Sequence, residues 1–137
     1  MNVKRFIAAS LAVFVVGQVL GYVIHNVILR ATYDSLKSLW RPDMQSKMWI
    51  MWLTGLITSF LFTLIFAKGY EGKGIGEGVR FGVLIGLFTS IPMAYNSYVT
   101  LPIPYSLALQ WFLYGTVATI ILGVVAALVY KREGPAA

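Results

Sequence analysis

The chain has no cysteine, one histidine and only five acidic residues, and none of the acids lies inside its long apolar stretches. Without cysteine, disulfides, thiol redox chemistry, iron–sulfur clusters and cysteine-based zinc sites are excluded. His25 alone excludes any site that needs two imidazoles from one chain. An ionised group at the centre of a bilayer costs about 2.5–3.5 kcal/mol on insertion scales, so the apolar stretches carry no acidic proton carrier or cation ligand at membrane depth. The acids are Asp34, Asp43, Glu71, Glu77 and Glu133.

Charge of either sign is scarce, because charged residues make up 12% of the chain and hydrophobic residues 58%. Roughly a quarter of a soluble domain is charged, and a soluble chain of this size could not bury so much apolar surface. Lipid solvates that surface and forces the backbone into helices. We therefore expect an all-α membrane protein, a single domain over residues 1–137, with four transmembrane helices in an antiparallel bundle of two hairpins. The predicted spans are residues 6–29, 48–67, 79–98 and 107–130.

The lysines and arginines lie in the loops and near the chain ends, where they predict orientation. Seven lie on the side of the termini and four on the opposite side, which favours both termini in the cytoplasm of a bacterial inner (plasma) membrane. We interpret the net charge of +6 as an orientation signal and as contacts with lipid headgroups. We expect no nucleic-acid binding, because it would need a basic face on a soluble domain and the chain is predicted to have no such domain. The seven are Lys4, Arg5, Lys68, Lys73, Arg80, Lys131 and Arg132; the four are Arg30, Lys37, Arg41 and Lys47.

The segment between the first two spans has an amphipathic pattern. Leu29, Tyr33, Leu36 and Trp40 follow one another at helical spacings, and charged residues occupy the other side. The pattern predicts a short helix over residues 29–41 that lies in the membrane interface. A solvated connector with incidental spacing is the alternative interpretation.

Small residues recur every four positions through the third span. Residues four apart lie on one face of a helix, and small side chains there allow another helix to approach closely. The pattern predicts a packing face of the glycine-zipper kind, either against a helix of the same chain or against another subunit. Its residues are Gly74, Gly78, Gly82, Gly86 and Ser90. We interpret the glycine-rich residues 69–78 as a flexible turn, because the features of a phosphate-binding loop are missing.

Polar and aromatic side chains gather toward the end of the bundle opposite the termini. They predict either an interfacial aromatic belt or a shallow pocket for an amphipathic ligand such as a lipid headgroup, a quinone or a pigment. His25 is the strongest chemical candidate, because an imidazole hydrogen-bonds a quinone carbonyl or supplies one axial ligand to a haem or chlorin. The candidate ligand-binding residues are His25, Asn26, Tyr95, Asn96, Gln110 and Trp111.

No nucleophile, base and acid occur together at one level of the membrane, so we predict no enzyme and no cofactor or metal. We expect a non-enzymatic accessory or assembly subunit that packs through the glycine-bearing helix. Its expected partners are the lipid bilayer and other membrane subunits or further copies of the chain, and not nucleic acid. One alternative is a homodimeric small transporter or channel that uses the Ser/Thr stripe of the second span. The other is a subunit that binds quinone, lipid or pigment through His25.

Overall fold

The computed structural model describes residues 1–131, so that Arg132 and Glu133 lie outside the described residues. Every regular element in this part of the chain is helical. Helix α1 is Val3–Tyr22, extended by a wider π-helical turn, Val23–Ile28; α2 is Arg30–Ser35; two 3-10 turns, Lys37–Leu39 and Met44–Lys47, lead to α3, Met48–Lys68; α4 is Ile75–Thr100; and α5 is Tyr105–Val129.

Four helices within residues 1–131 are long and apolar enough to cross a membrane. Only 17% to 28% of the residues in each apolar window are buried inside the molecule, so most apolar side chains point outward. Phe88, for example, is 79% exposed. A surface of this kind is stable in lipid, where the helices satisfy their own backbone hydrogen bonds. The chain is therefore a membrane-embedded, all-α four-helix bundle, as its sequence predicts.

The third span begins at Ile75, earlier than the predicted residue 79, and the loop before it is correspondingly shorter. Both carboxylate oxygens of Glu77 hold this loop, accepting from the backbone N–H of Glu71 at 2.6 Å and of Lys73 at 2.8 Å. Gly74 precedes the helix with φ of 76°, in the left-handed region that favours glycine. The carboxylate thus lets the helix start inside the glycine-rich segment.

Helices α4 and α5 form the most closely packed pair. A methyl group built on Gly78 would lie 2.8 Å from the Ala127 Cβ, and one built on Gly82 would lie 2.5 Å from the Thr119 carbonyl oxygen. Both distances are shorter than real contacts of a Cβ atom, so only glycine fits. Gly86 faces α5 in the same way. The small-residue face of α4 is therefore in contact with a helix of the same chain.

Gly74 and Ser90 mark the two ends of this face. Gly74 lies before the helix, and a methyl group on it would meet nothing within 4 Å. Gly74 therefore takes no part in the contact between α4 and α5, and its role in packing against another subunit stays a prediction. Ser90 does face α5, since its Oγ lies 2.6 Å from the position of a methyl group on Gly115.

Helix α1 packs against both α3 and α5. Near the termini, aromatic rings fill the space between α3, α4 and α5: Phe66 contacts Phe81 at a centroid distance of 5.3 Å and Tyr130 at 6.2 Å. The Arg5 guanidinium donates to the carbonyl of Lys131 and so joins the two chain ends. Both described ends of the chain therefore lie at one end of the bundle.

The connector between α1 and α3 covers the opposite end of the bundle, which we call the distal end. Leu29 is 1% exposed and belongs to a small core with Ile103, Leu107 and Ala108. Tyr33 packs against this core. The apolar side of the connector therefore rests on the start of α5. Its helix is also shorter than the predicted residues 29–41, because the backbone leaves the helical region after Ser35.

Candidate ligand-binding site

The last turn of α1 is wider than an α-helical turn. Between Val23 and Ile28 the helix is of the π type, and the Leu29 N–H donates to the Ile24 carbonyl at 2.9 Å. Turns of this kind change the direction of the side chains they carry and are frequent at functional sites. Here the turn carries His25, and the chain folds back at once into α2, which brings Tyr33 beside the imidazole.

Three side chains from three elements form what we call the Trp111–Tyr33–His25 chain. The Nε1–H of Trp111, on α5, donates to the Tyr33 hydroxyl at 2.7 Å. The same hydroxyl lies 2.6 Å from Nδ1 of His25, and the two rings are stacked with 11° between their planes. Trp40 supports Tyr33 by donating its Nε1–H to the Tyr33 carbonyl at 3.1 Å. The arrangement fixes the imidazole through Nδ1 and leaves Nε2 unused.

The direction of each hydrogen bond follows from the donors available. An indole nitrogen can only donate, so the Tyr33 hydroxyl accepts from Trp111. We assign the proton of this hydroxyl to the hydrogen bond with Nδ1 of His25. In this assignment the donor without a partner among the described residues is the imidazole Nε2–H, whereas the reverse assignment would leave the phenolic proton unpaired. An imidazole that accepts at Nδ1 carries its proton on Nε2. In this assignment His25 is a donor through Nε2–H.

Tyr33 is held in the protonation state that this chain requires. Burial raises its pKa above the ordinary value for tyrosine, and the hydrogen bond from Trp111 lowers the pKa by a smaller amount. The phenol therefore keeps its proton near neutral pH. Farther along the connector, a hydrogen bond from Arg41 and a weaker one from Lys47 lower the pKa of Asp43. That group is exposed and takes no part in the chain.

His25 and Trp111 also line a cavity of about 150 Å³ between α1 and α5, with Met93 of α4 at one side. Small residues create the space: Gly21 is part of the wall, and a methyl group on it would meet nothing within 4 Å. Gly115 contributes a second flat surface from α5. None of the lining residues is charged, and most are apolar. The site is thus a mostly apolar cavity whose lining includes a few polar side chains.

Tyr114 adds a second polar group to this wall. It follows Trp111 by three residues on α5, so both side chains lie on the same helix face. Its hydroxyl makes no hydrogen bond with any described residue. Since the Trp111 N–H is already bonded to Tyr33, the unused donors of the cavity wall are the Nε2–H of His25 and the hydroxyl of Tyr114.

The six residues predicted from the sequence do not form one cluster. His25 and Trp111 are joined through Tyr33, as described. Tyr95 belongs to another group, in which its hydroxyl lies 3.2 Å from that of Tyr105. The side chains of the remaining three form no hydrogen bond within residues 1–131; two are exposed and the last is half-buried. These three are Asn26, Asn96 and Gln110.

The amphipathic pattern of the connector places Tyr33 on its apolar side, and no sequence pattern singles out Tyr114. A signal for Tyr33 was present, because it is a phenol on an otherwise apolar face close in sequence to the single histidine. The π-helical turn, which directs His25 toward Tyr33, has no such signal in the sequence. The sequence periodicity of an α-helix predicts a different direction for His25.

The site has little to offer a metal. Among the residues that the structure describes, no three His, Asp or Glu side chains come together in a way that could hold an ion. As an axial ligand to haem or chlorin, His25 would need a free lone pair on Nε2. When Nδ1 accepts from Tyr33, Nε2 carries the proton and has no free lone pair. In this form His25 can bind a ligand that accepts a hydrogen bond but cannot coordinate a metal.

Comparison with protein-family models, curated proteins and solved structures finds no match for this chain.

Proposed function

We propose that the chain is a non-enzymatic integral membrane protein that binds an amphipathic membrane molecule in the cavity between α1 and α5. One observation carries the proposal: His25 lines an apolar cavity, is held at Nδ1 by Tyr33, and has an Nε2 that makes no hydrogen bond with the described residues. Polar groups within a span are costly and are kept mainly where they function. Apolar walls with a few fixed polar groups are also the usual composition of small-molecule sites.

Binding is favoured over catalysis by the groups that the cavity offers. Its polar residues are His25, Trp111 and Tyr114, and none of its lining residues is an acid or a hydroxyl nucleophile of the serine type. The nitrogen of His25 that would act as a base accepts from Tyr33. General acid–base chemistry needs a group that can both take and return a proton near the substrate, and the imidazole nitrogen that would do so here is bonded to Tyr33.

The proposal is tested by identifying the small molecules that co-purify with the protein in a mild detergent, by mass spectrometry of the extract. Gly21→Leu would fill the cavity from a position where a new side chain meets open space. We expect this variant to fold and to lose the bound molecule. Gly76→Leu is the matched control, since Gly76 also faces open space but lies in the first turn of α4, away from the cavity.

A second variant tests the donor. His25→Phe keeps a ring of similar size and removes the Nε2–H, so we expect about tenfold weaker retention of the molecule, the value of one good hydrogen bond. The proposal fails if the wild type and Gly21→Leu carry the same molecules in the same amounts.

A second candidate function, an accessory or assembly subunit, is favoured by the outward side of α4. Asn96 lies in this span, is exposed, and makes no hydrogen bond within the described residues. It lines a shallow groove with Pro92, Ser97 and Thr100. Amides inside spans commonly bond across to another helix. Because the small-residue face of α4 is in contact with α5, a partner would use this other side of the same helix.

This candidate is tested by purifying the tagged chain from its native membrane and measuring stoichiometric partners. We expect Asn96→Leu to lose a partner that Leu84→Ala retains, since Leu84 is 67% exposed and apolar. Recovery of a partner-free monomer from the native membrane would contradict the subunit proposal and would leave the cavity proposal intact.

The transport alternative draws no support from the contacts of α3. Three of the hydroxyls in α3 donate to carbonyls of the same helix: Thr54 to Ile50 at 2.9 Å, Ser59 to Gly55 at 2.8 Å, and Thr63 to Ser59 at 2.9 Å. Hydroxyls bonded in this way do not supply a continuous polar path. Solute flux into liposomes that exceeds the flux of protein-free liposomes would revive this alternative.

A further inference from the structure

We infer that the cavity between α1 and α5 takes a single-ring quinone, with the ring inside the cavity and a carbonyl oxygen accepting from the Nε2–H of His25. The inference rests on the proposed function and narrows its ligand from amphipathic molecules in general to one chemical class. Three properties of the cavity carry it: the volume, the polarity of the unused groups, and the absence of charge.

The volume limits the ligand to one ring. A protein cavity of about 150 Å³ is known to accommodate a molecule the size of benzene, and the cavity here measures about 150 Å³. A fused two-ring headgroup exceeds that space, and a haem or chlorin macrocycle exceeds it several times over. The wall comes entirely from the helices that cross the membrane, so an isoprenoid or alkyl tail on the ring can remain in lipid.

The unused polar groups require a ligand that accepts hydrogen bonds. His25 presents Nε2–H because Nδ1 accepts from Tyr33. Tyr114 has a hydroxyl without a partner among the described residues. A para-quinone has two carbonyl oxygens and no donor, so it matches a wall that offers two donors. Each unmatched donor would otherwise remain a cost inside the membrane.

The absence of charged residues in the cavity lining excludes a phosphate headgroup, the commonest polar group of the bilayer. Phosphate headgroups are bound by lysine, arginine or clustered backbone N–H groups, and no lysine or arginine lines this cavity. The ester carbonyl of a lipid is the alternative ligand group, because it also accepts hydrogen bonds and carries no charge. Aromatic side chains favour the ring: His25, Trp111 and Tyr114 all line the cavity, and flat rings pack well against one another.

The single histidine makes the test direct. With ¹⁵N-histidine as the only label, His25 gives the only imidazole signals of the chain. The protein in detergent micelles is titrated with a para-benzoquinone that carries one isoprenoid unit, with a naphthoquinone that carries the same tail, and with a short-chain diacylglycerol. Quinones add to thiols, and the chain has none. We expect a saturable shift of the Nε2 signal with the benzoquinone alone.

Two variants complete the design. Gly21→Leu should abolish the benzoquinone shift, while Gly76→Leu should leave it unchanged. Tyr114→Phe should weaken benzoquinone binding by about two- to tenfold, the range for one lost hydrogen bond, without moving the signals of His25 in the free protein.

The outcomes separate this inference from the proposed function. If the naphthoquinone or the diacylglycerol shifts the signal and the benzoquinone does not, the ligand class is wrong and the cavity is still a binding site. The same holds if Gly21→Leu loses a co-purifying molecule but no quinone binds. If no probe shifts the signal and Gly21→Leu changes no bound molecule, both proposals fail.

Discussion

At the scale of single residues, the hydroxyl of Tyr33 is the atom on which the site depends. It accepts from α5 through Trp111 and donates to α1 through His25, while its own residue lies in α2. One oxygen therefore connects two consecutive elements, the end of α1 and α2, with α5, which is distant in sequence. The connection selects one of the two neutral forms of the imidazole, and the form selected decides whether His25 acts as a donor or as an acceptor.

The first prediction follows from that selection. In the wild type, the ¹⁵N spectrum of His25 should show a single tautomer with the proton on Nε2. Tyr33→Phe removes the donor to Nδ1, so both tautomers should be populated. Tyr105→Phe is the control, because it removes a hydroxyl bonded to Tyr95 in a separate group. An unchanged spectrum in Tyr33→Phe would show that the hydroxyl does not set the tautomer.

A second prediction concerns alkaline pH. Because burial raises the pKa of Tyr33, the folded protein holds the phenolic proton more tightly than the unfolded chain does. The resulting stability is complete below the unfolded pKa of about 10 and is lost as the pH rises through the folded pKa. Thermal unfolding in detergent should therefore show a decline in stability above about pH 10. Tyr33→Phe should decline less steeply than the wild type; parallel curves would contradict the prediction.

At the scale of helices, the contact between α4 and α5 is the most demanding in the chain. The backbone of α5 at Thr119 and Ile120 occupies the space that a side chain at position 82 would need. A rigid backbone cannot move aside as a flexible side chain can, so the two helices must separate to admit even a methyl group. The close approach gains dispersion contacts that lipid tails cannot replace.

The third prediction is that Gly82→Ala lowers the free energy of unfolding by about 1–3 kcal/mol, the usual cost of overpacking. Gly76→Ala is the control in the same helix. A methyl group there meets nothing within 4 Å, and alanine is the better helix former by about 0.5–1 kcal/mol, so this change should be neutral or stabilising. Denaturant titration in mixed micelles measures both variants. Equal stabilities for the two would contradict the close contact.

The helices and this contact could be predicted because they depend on patterns that repeat. Apolar length determines a span whatever the neighbouring helices do, and a glycine every fourth residue marks a close approach wherever the partner lies. The start of α4 at Ile75 was missed, because it depends on the Glu77 carboxylate binding two backbone N–H groups. Tyr33 was missed as well, since its role needs a π-helical turn and a fold-back of the connector. Neither has a periodic signal.

At the scale of the whole molecule, the bundle has two chemically different ends. The distal end carries the connector, the core around Leu29 and the Trp111–Tyr33–His25 chain. The other end carries the aromatic cluster around Phe66 and the hydrogen bond from Arg5 to Lys131. A ligand that entered the cavity near His25 would therefore come from the leaflet next to the distal end. The orientation of the protein in the membrane determines whether this is the inner or the outer leaflet.

The fourth prediction concerns that orientation. Lysine and arginine are retained on the cytoplasmic side, and the topology predicted from the sequence assigns seven of the eleven to the side of the termini. A reporter fused after Ala137 should remain cytoplasmic, which places His25 near the outer leaflet. Lys68→Gln with Lys73→Gln removes two of the seven and should yield a mixed population. Arg30→Gln with Lys37→Gln removes two of the other four and should leave the orientation unchanged. A reporter found on the side away from the cytoplasm would contradict the prediction. The cavity would then lie next to the inner leaflet, and the ligand would have to be sought among the molecules of that leaflet.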